Sequence, residues 1–567
     1  MKWYGELKME NVFSSFAPFI QEYIYNHSWE NLRKNQLEAA EVIFNTDDNL
    51  LLSSSTASGK TEAAFFPIIS QMYENMPKTF GVLYIAPLKS LINDQFSRLD
   101  ELLDMTGIPV FHWHGDVGAS HKNKAVQNPK GILQITPESL ESMLMRRPND
   151  VVRMFSDLKY VIIDEIHILM GSDRGSQIIC QLCRLGKLIG HHPRRIGLSA
   201  TIGDLEIAGE WLSSGSGRAT QAPVPEEQKI KWRLGLEHFY IQNPKSNQTD
   251  ENSVTGGFEF QNIEYDSENL PDDAAETGKT DGIAVLDPGY EYIYDCVKGK
   301  KCLVFSNSRE ETEYITATLK QLAEAKNEKD RFLIHHGNLS AAIREEAEEK
   351  LKDDNLDAVV CATVTMELGI DIGKLERIIQ IDSPTSVMSL LQRIGRSGRR
   401  GNPPEMMMVF REENPLPNTP LPQLIPWDLL RGIAIVQLYI EERFIEEPKM
   451  KMLPYSLCFH QTLSILASSG SLLPKELSSK VLSLPPFENI PKSDYKALLV
   501  SMIKNEFLEL DEEGELLVGL AGERIINSFR FLAVFKDSED YTVRCGSDEI
   551  GTITTPPPVG DRFALAG

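Results

Sequence analysis

Residues 53–61, SSSTASGKT, place a lysine and a hydroxyl at the end of a run of small residues. The run follows an apolar stretch predicted as a strand and precedes a predicted helix, a setting in which loop amides and the helix N-terminus face phosphates. Lys60 would reach the β and γ phosphates of ATP, and the Thr61 hydroxyl would hold Mg²⁺. Ser54 replaces the first glycine of the general pattern, so a chance match stays open on this run alone. The other loop residues expected around the phosphates are Thr56, Ala57, Ser58 and Gly59.

An acidic pair ends a second apolar run, VIIDEIH, roughly a hundred residues further along the chain. Asp164 would complete the Mg²⁺ shell, and Glu165 would orient and deprotonate the attacking water. A solvated acidic turn is the alternative. It explains neither the apolar strand nor the pairing with a phosphate-binding loop, so the two runs together predict a site for ATP hydrolysis.

A cluster of arginines in LLQRIGRSGRRG, residues 390–401, provides the third element of this chemistry. A basic surface patch is the alternative reading. The spacing of three between Arg396 and Arg399 predicts one helical face, from which both could reach the γ-phosphate. Arginines of this kind accelerate phosphoryl transfer by roughly 10³–10⁵-fold in related enzymes. Hydrolysis would then require two parts of the chain to close on each other.

These chemical residues lie at the ends of apolar runs that alternate with helix-like segments. That rhythm is typical of a parallel α/β sheet, in which ligands bind at the carboxyl ends of the strands. It occurs once over about residues 50–200 and again from KCLVFSNS to EMMMVF. The sequence therefore predicts two tandem α/β domains, joined near residues 205–240.

The remainder of the chain follows a different pattern. Beyond residue 412, helical segments punctuated by proline are followed by two helices, a third helix and a short hairpin, an order that suggests a winged-helix module. The last stretch is β-rich without a closing element, which leads us to expect a domain that continues beyond it. The expected boundaries are 1–208, 209–411 with an insertion at 242–282, 412–530, and 531–567.

Composition and charge limit the classes of protein to which the chain could belong. The 567 residues have average globular composition and a formal charge of −24, of which −8 (two lysines against ten acids) falls within residues 242–282. That segment is predicted to be a solvated insertion, so the acidic total does not exclude a nucleic-acid partner. The N-terminus does not resemble a signal peptide, and no run approaches a membrane span. Seven cysteines, with one isolated CxxC at Cys180 and Cys183, favour a cytoplasmic chain with reduced thiols over a zinc site.

Taken in order, the motifs resemble those of superfamily 2 DExH helicases, and within them the Lhr-like (large helicase-related) group. The resemblance covers residues 13–567 and implies two RecA-like domains, a winged helix and part of a β-domain. The motifs that carry it are LRKNQ with Gln36, STASGKT, APLKSL (86–91), TPES (136–139), DEIH (164–167), SAT (199–201), VFSNSR (304–309), ATVTMELGIDIG (362–373) and QRIGRSGR (392–399).

The resemblance also implies roles for individual residues. Gln36 would recognise adenine, and His167 would contact Gln392 across the cleft between the domains. Ser199 and Thr201 would couple hydrolysis to strand movement, and Gly369 and Asp371 would sense the nucleotide from the second domain. Contacts with a nucleic-acid strand, which position it without reading its bases, would involve Lys89, Thr136, Ser306, Arg309 and Thr363.

The expected function is that of an ATP- and Mg²⁺-dependent motor moving 3′ to 5′ on single-stranded DNA, in DNA repair or defence. One alternative keeps the enzyme and replaces DNA with RNA. The other is a nucleic-acid-stimulated ATPase that acts as a clamp or switch beside a partner nuclease. Two histidine-rich loops, HWHGD (112–116) and HHGNLS (335–340), match loops common in Lhr-like helicases, so we do not expect a metal there.

Overall fold

The computed structural model of the chain describes two α/β units, a helical module and a C-terminal hairpin. The described residues are 12–27, 29, 31–54, 59–104, 106–224, 231–241, 287–337, 339–353, 355–367, 373, 375–398, 403–415, 419–450, 453–533, 541–545 and 548–553, the last two ranges by their backbone alone. The acidic segment 242–282 lies outside them. No helix among the described residues is long and apolar enough to cross a membrane.

Seven strands form the first sheet, and every paired neighbour is parallel. They are β1 Asn49–Ser53, β2 Phe80–Ile85, β3 Val110–Trp113, β4 Gly131–Ile135, β5 Tyr160–Ile163, β6 Arg194–Ser199 and β7 Thr220–Gln221. Their order across the sheet is β3–β4–β2–β5–β6–β1–β7. All positions of β1, β2, β4, β5 and β6 are buried, because helices cover both faces of a parallel sheet. This explains why the sequence showed continuous apolar runs there.

The helices of this unit connect successive strands or extend the ends of the domain. They are α1 Pro18–Asn26, α2 Lys34–Asn45, α3 Lys60–Glu74, α4 Lys89–Leu103, α5 Ala119–Gln127, α6 Pro137–Arg146, α7 Pro148–Phe155, α8 Ile166–Leu169, α9 Asp173–Ile189 and α10 Leu205–Ser213. Because β7 pairs with β1, the first sheet extends to Gln221. The boundary expected at residue 208 therefore lies inside this unit.

The second sheet has six parallel strands and lies downstream of the first. They are β8 Arg233–Ile241, β9 Cys302–Phe305, β10 Phe332–His335, β11 Val359–Ala362, β12 Arg377–Ile381 and β13 Glu405–Glu413, in the order β10–β11–β9–β12–β13–β8. Its helices are α11 Pro288–Val297, α12 Arg309–Ala325, α13 Ala341–Lys352 and α14 Val387–Ile394. The two parallel sheets confirm the prediction of tandem RecA-like α/β domains, called domain 1 and domain 2 below.

A helical module follows domain 2. Its elements are α15 Trp427–Glu442, α16 Tyr455–Ser469, α17 Pro474–Leu482, α18 Lys492–Lys504, an antiparallel hairpin of β14 Leu508–Leu510 and β15 Leu516–Val518, and α19 Leu520–Ile526. Leu472, between α16 and α17, forms a bridge with Leu516 of the hairpin. Three helices followed by a hairpin match the order predicted from the sequence, and the winged-helix interpretation remains a prediction. The last hairpin pairs β16 Tyr541–Cys545 with β17 Asp548–Ile553.

The helical module docks on domain 1 through a buried polar cluster centred on Glu141 of α6. The Glu141 carboxylate accepts hydrogen bonds from Arg184 of α9 (2.6 Å) and from the Ser464 hydroxyl of α16 (2.5 Å). Arg184 also donates to the Gln461 side chain of α16 at 3.0 Å. Burial alone would raise the pKa of Glu141, but the nearby Arg184 guanidinium, His460 and the hydrogen bonds lower it to about 2. Glu141 is therefore charged, and its charge is compensated within the interface.

Replacing Glu141 with glutamine should destabilise this docking by about 3–5 kcal/mol at pH 7, because Arg184 would remain buried without its counter-charge. The pKa of Glu141 in the folded chain lies below the ordinary value of 4.5. Its contribution is therefore complete above pH 4.5 and disappears as the pH falls toward about 2. Hydrogen exchange of α16 in the variant and in the original chain, at pH 7 and at low pH, measures both effects. Asp150→Asn, which removes an exposed ion pair with Arg153 on the neighbouring helix α7, is the control and should cost about 1 kcal/mol or less.

Candidate active site

The predicted phosphate-binding loop connects β1 to α3 at the carboxyl edge of the first sheet. Gly59, immediately before α3, has a φ of +79°, a left-handed conformation that glycine adopts without steric cost. The half-buried Lys60 begins the helix, and its ammonium donates a hydrogen bond to the Ser54 carbonyl oxygen at 2.6 Å. This hydrogen bond holds the Lys60 ammonium beside the end of β1. Three residues of the predicted loop, Thr56, Ala57 and Ser58, lie outside the described residues.

Gln36 packs against this loop from the N-terminal part of domain 1. It is only 3% exposed, and its side-chain oxygen accepts a hydrogen bond from the Arg33 backbone amide at 2.9 Å. A Cβ at position 59 would lie 2.7 Å from the Gln36 amide nitrogen, so Gln36 occupies the space that Gly59 leaves open. The two motifs are therefore adjacent in the fold. The role of Gln36 in recognising adenine stays a prediction.

The two carboxylates follow β5 at the same edge of the sheet, and both residues are buried. Asp164 accepts hydrogen bonds from the Tyr84 hydroxyl and, at 2.9 Å, from the Glu165 backbone amide. Glu165 has a φ of +50°, a left-handed conformation that costs a non-glycine residue about 1–3 kcal/mol. Such strained residues cluster at functional sites, and here the strain places a second carboxylate beside the first.

The pKa values of Asp164 and Lys60 are set by burial and by the charges of neighbouring groups. Burial, followed by the neighbouring Glu165 charge, raises the pKa of Asp164 to about 7. Burial lowers the pKa of Lys60, although the two carboxylates oppose that shift. A pair of adjacent buried acids is stabilised by cations, and Lys60 is one such cation.

The donor set also fits Mg²⁺. Oxygen ligands from one or two carboxylates, with the rest from substrate phosphates and water, are what this ion prefers. Asp164 and the Thr61 hydroxyl, in the first turn of α3, are the residues that would hold it. Bound there, Mg²⁺ would neutralise developing charge on the phosphate oxygens.

His167 of α8 connects the acidic motif to two further motifs. Its Nδ1 lies 3.1 Å from the Ser199 hydroxyl and accepts a hydrogen bond from the Ala200 backbone amide at 3.3 Å. Burial lowers the pKa of His167 to about 4, so the ring is neutral at pH 7. The other ring nitrogen, Nε2, contacts the side-chain amide nitrogen of Gln392 in domain 2. The structure thus brings together the pair that the family resemblance predicted across the cleft.

The arginines of the third motif have separate environments. Arg393 is fully buried within domain 2, where it pairs with Glu367 at 3.1 Å and donates to the Gln380 side chain at 2.5 Å. Arg396 donates to the Glu367 carbonyl oxygen at 2.7 Å. Its positive charge contributes, after burial, to the lowered pKa of Lys60. Arg396 of domain 2 therefore acts electrostatically on Lys60 of domain 1, the lysine predicted to bind phosphate.

One part of the sequence argument about these arginines is wrong. Helix α14 ends at Ile394, so Arg396 lies in the turn that follows the helix and not on a helical face. From this turn the buried guanidinium of Arg396 reaches the Glu367 carbonyl oxygen. Arg399, predicted as the second arginine of the site, lies outside the described residues, as do Gly369 and Asp371.

Comparisons with known proteins identify the family. A DEAD/DEAH box helicase family profile matches residues 33–208, and the helicase conserved C-terminal domain matches residues 289–401. The ATP-dependent helicase Lhr-Core of Sulfolobus acidocaldarius is 32% identical over 406 residues, which are 69% of this chain and 42% of that protein. The chain belongs to the Lhr-like superfamily 2 helicases. This is a family of nucleic-acid-dependent ATPases.

Other Lhr proteins extend the similarity over more of the chain. The Lhr helicase/uracil glycosylase of Escherichia coli is 29% identical over 503 residues, 80% of this chain and 30% of that protein. The structure of the Mycobacterium smegmatis helicase Lhr, bound to single-stranded DNA and AMP-PNP, has the same fold. It matches with a TM-score of 0.72 and 24% identity over 95% of this chain and 64% of that one. This chain spans about two fifths of the length of its Lhr-Core relatives.

The residues predicted to contact a strand differ in how they are presented. Arg309, the first residue of α12, is exposed, and Lys89, the first residue of α4, is half-exposed and bonded to Asp116 at 2.8 Å. Thr136 and Ser306 are buried and hydrogen-bond within their own domains, to Ser139 at 3.0 Å and to the Ser308 carbonyl oxygen at 2.9 Å. These two side chains therefore hydrogen-bond within the protein at the ends of their strands, and their role in strand contacts stays a prediction.

Three other positions of the Lhr-like pattern can be placed. Thr363 is 8% exposed at the end of β11, Ser199 is fully buried against His167, and Thr201 is half-buried two residues beyond. The structure describes the histidine-rich loop 112–116 in full and the loop 335–340 apart from Asn338. In the part of the chain that the structure describes, no group of three or more His, Cys, Asp or Glu side chains is arranged to hold a metal ion. Cys180 and Cys183 lie buried on α9.

Two residues of the site were not predicted from the sequence. Tyr84, which carries a hydroxyl in the otherwise apolar β2, donates to Asp164 from the neighbouring strand. Glu367 joins both arginines, through its carboxylate to Arg393 and its carbonyl oxygen to Arg396. The tyrosine within an apolar strand and the glutamate within the motif ATVTMELGIDIG were the available hints, but neither indicates its partner.

Proposed function

We propose that this chain hydrolyses ATP in the cleft between its two RecA-like domains and uses the energy to move 3′ to 5′ along single-stranded DNA. The observation that carries the proposal is the meeting of the domains at the ATP site. Lys60, Asp164 and Glu165 come from domain 1, whereas Gln392 and Arg396 come from domain 2. A site divided in this way links hydrolysis to the relative position of the domains.

Each residue contributes a separate part of the reaction. Lys60 neutralises phosphate charge in the bound substrate, and Glu165 accepts a proton from the attacking water. Arg396 stabilises charge on the transferring phosphoryl group when the cleft is closed. Because Arg396 belongs to domain 2, it stabilises the transition state only when the two domains have closed around bound ATP.

The His167 contacts offer a route from hydrolysis to movement. His167 contacts Ser199 and Ala200 of domain 1 on one side of its ring and Gln392 of domain 2 on the other. A change in the orientation of Glu165, which lies 3.4 Å from His167 Nδ1, would therefore reach both the SAT motif and domain 2. We infer that this histidine reports the state of the nucleotide to domain 2.

DNA is the favoured track because the solved M. smegmatis Lhr holds single-stranded DNA. The name of the E. coli relative joins helicase to uracil glycosylase, an enzyme class that acts on DNA bases, which favours a role in DNA repair in the cytoplasm over defence. The experiment compares ATP hydrolysis stimulated by single-stranded DNA and by RNA of the same length and base composition. Preferential stimulation by RNA would replace DNA with RNA as the track.

The remaining alternative is an ATPase clamp or switch that acts beside a partner nuclease. Duplex unwinding on a substrate with a 3′ single-stranded tail separates it from a motor. We expect strand separation with a 3′ tail and little with a 5′ tail. A clamp would hydrolyse ATP at the same rate and leave both duplexes intact.

A further inference from the structure

The segment that follows α15 lies between α14 of domain 2 and two loops of domain 1. We call residues 443–450, which follow α15, the linker segment. Arg443 ends α15 in a left-handed conformation, with φ of +54°, and turns the chain sharply. Two residues later Ile445 is buried, although its neighbours Phe444 and Glu447 are exposed. The linker segment is thus anchored where it passes between the domains.

Glu446 of the linker segment caps the N-terminus of α14. Its two carboxylate oxygens accept hydrogen bonds from the backbone amides of Val387 (2.6 Å) and Met388 (3.0 Å). The Ser386 hydroxyl accepts a hydrogen bond from the amide of Ser389 at 3.0 Å. The first three amides of the helix, which have no partners within it, are therefore all bonded. A negative charge at this end also interacts favourably with the helix dipole.

The capped helix carries the domain 2 half of the ATP site. α14 spans only eight residues, Val387–Ile394. Gln392, which contacts His167, lies within it, and Arg396 follows two residues after its end. A helix this short moves as a unit, so a displacement at Val387 reaches both residues.

On the other side, the linker segment lies against domain 1 beside two of its motifs. The Ile445 carbonyl oxygen is 2.5 Å from the position that a Cβ at Gly203 would occupy, and Gly203 lies two residues after Thr201. The Lys449 carbonyl oxygen is 2.7 Å from the equivalent position at Gly171, just beyond the helix that carries His167. Only glycine at these two positions allows the linker backbone so close.

We propose that Glu446 is a positioning residue for ATP hydrolysis. Glu446 connects α14 to the linker segment, which packs on domain 1. It thereby fixes the position of α14 relative to domain 1, and hence the positions of Gln392 and Arg396 relative to the nucleotide. The inference rests on the proposed ATPase function. The linker segment lies outside all the helicase motifs, yet it would help to position Gln392 and Arg396 in the site.

Glu446→Gln should lower kcat for nucleic-acid-stimulated ATP hydrolysis by about tenfold, because small misplacements of catalytic groups cost rate steeply. The KM for ATP should change less than twofold, since the ground state is bound mainly by domain 1. Hydrogen exchange at Val387 and Met388 should become faster in the same variant. Glu446→Asp should recover part of the rate, and the exposed neighbour Glu447→Gln should behave as the original chain.

Gly203→Ala tests the same connection from the domain 1 side. The new Cβ would force the Ile445 carbonyl oxygen away, and we expect a severalfold lower kcat with an unchanged KM. The proposal is overturned if Glu446→Gln or Gly203→Ala keeps the original kcat, or if kcat and thermal stability fall together without rescue by aspartate. If the unaltered chain shows no nucleic-acid-stimulated hydrolysis at all, the proposed function fails first and this inference falls with it.

Discussion

Glu165→Gln should lower kcat for ATP hydrolysis by about 10²–10⁴-fold and leave nucleotide binding nearly intact. The amide keeps the size of the side chain but cannot accept a proton from water. We expect binding to depend mainly on Lys60, which stays in place through its hydrogen bond to the Ser54 carbonyl oxygen. Single-turnover hydrolysis, measured beside the affinity for a fluorescent ATP analogue, separates the two effects.

The matched control for this variant is Glu210→Gln, which changes an exposed carboxylate on α10 of the same domain. It should hydrolyse ATP at the original rate. Normal hydrolysis by a correctly folded Glu165→Gln chain would show that Glu165 is not the general base. The attacking water would then have to be activated by the phosphates of the substrate itself.

Arg396→Ala should lower kcat by about 10³-fold or more, the usual effect of losing an arginine that stabilises the transferring phosphoryl group. The KM for ATP should rise much less, because Arg396 belongs to domain 2 and acts when the cleft is closed. Stopped-flow hydrolysis at saturating ATP and single-stranded DNA measures the loss. Arg396→Lys keeps the charge without the forked geometry, and only a minor part of the rate should return.

Arg393→Ala is the comparison that distinguishes a structural arginine from a catalytic one. Removing Arg393 leaves Glu367 buried without its partner, so domain 2 should lose about 3–5 kcal/mol of stability. Arg396→Ala should lower the thermal stability much less than Arg393→Ala. If the two variants lose stability equally, the loss of rate in Arg396→Ala reflects folding, and the catalytic assignment is wrong.

The sheets could be predicted because their strands are buried on both faces. Runs such as VIIDE and CLVF are continuous and apolar, and they became β5 and β9 with every position buried. β8 was not predicted. It lies at the edge of the second sheet, with exposed and half-buried positions, so its sequence has neither a continuous apolar run nor clean alternation.

The site was predictable where its motifs are local, and less so where its contacts join distant segments. Lys60, Asp164 and Glu165 each follow a strand, a context that can be seen in the sequence. Spacing alone could not separate Arg393 from Arg396, because the end of α14 between them depends on packing. Glu446 lies 59 positions from the amide that it caps, and no local pattern marks such a pair.

A divided ATP site, as proposed above, would explain why the chain is built from two similar domains. In that proposal domain 1 supplies the groups that bind and prepare ATP, whereas Gln392 and Arg396 approach from domain 2. Opening the cleft would remove Arg396 from the phosphates and break the contact between His167 and Gln392. Hydrolysis and the relative movement of the domains are therefore two aspects of one event.

The most direct test of this account is the rate of ATP hydrolysis by the chain and by Lys60→Ala, each with and without single-stranded DNA. We expect DNA to stimulate hydrolysis by the unaltered chain to a saturating rate. Lys60→Ala should show no stimulated hydrolysis, although circular dichroism and thermal unfolding should show that it is folded. A folded Lys60→Ala chain that hydrolyses ATP at the original rate would contradict the assignment of the ATP site.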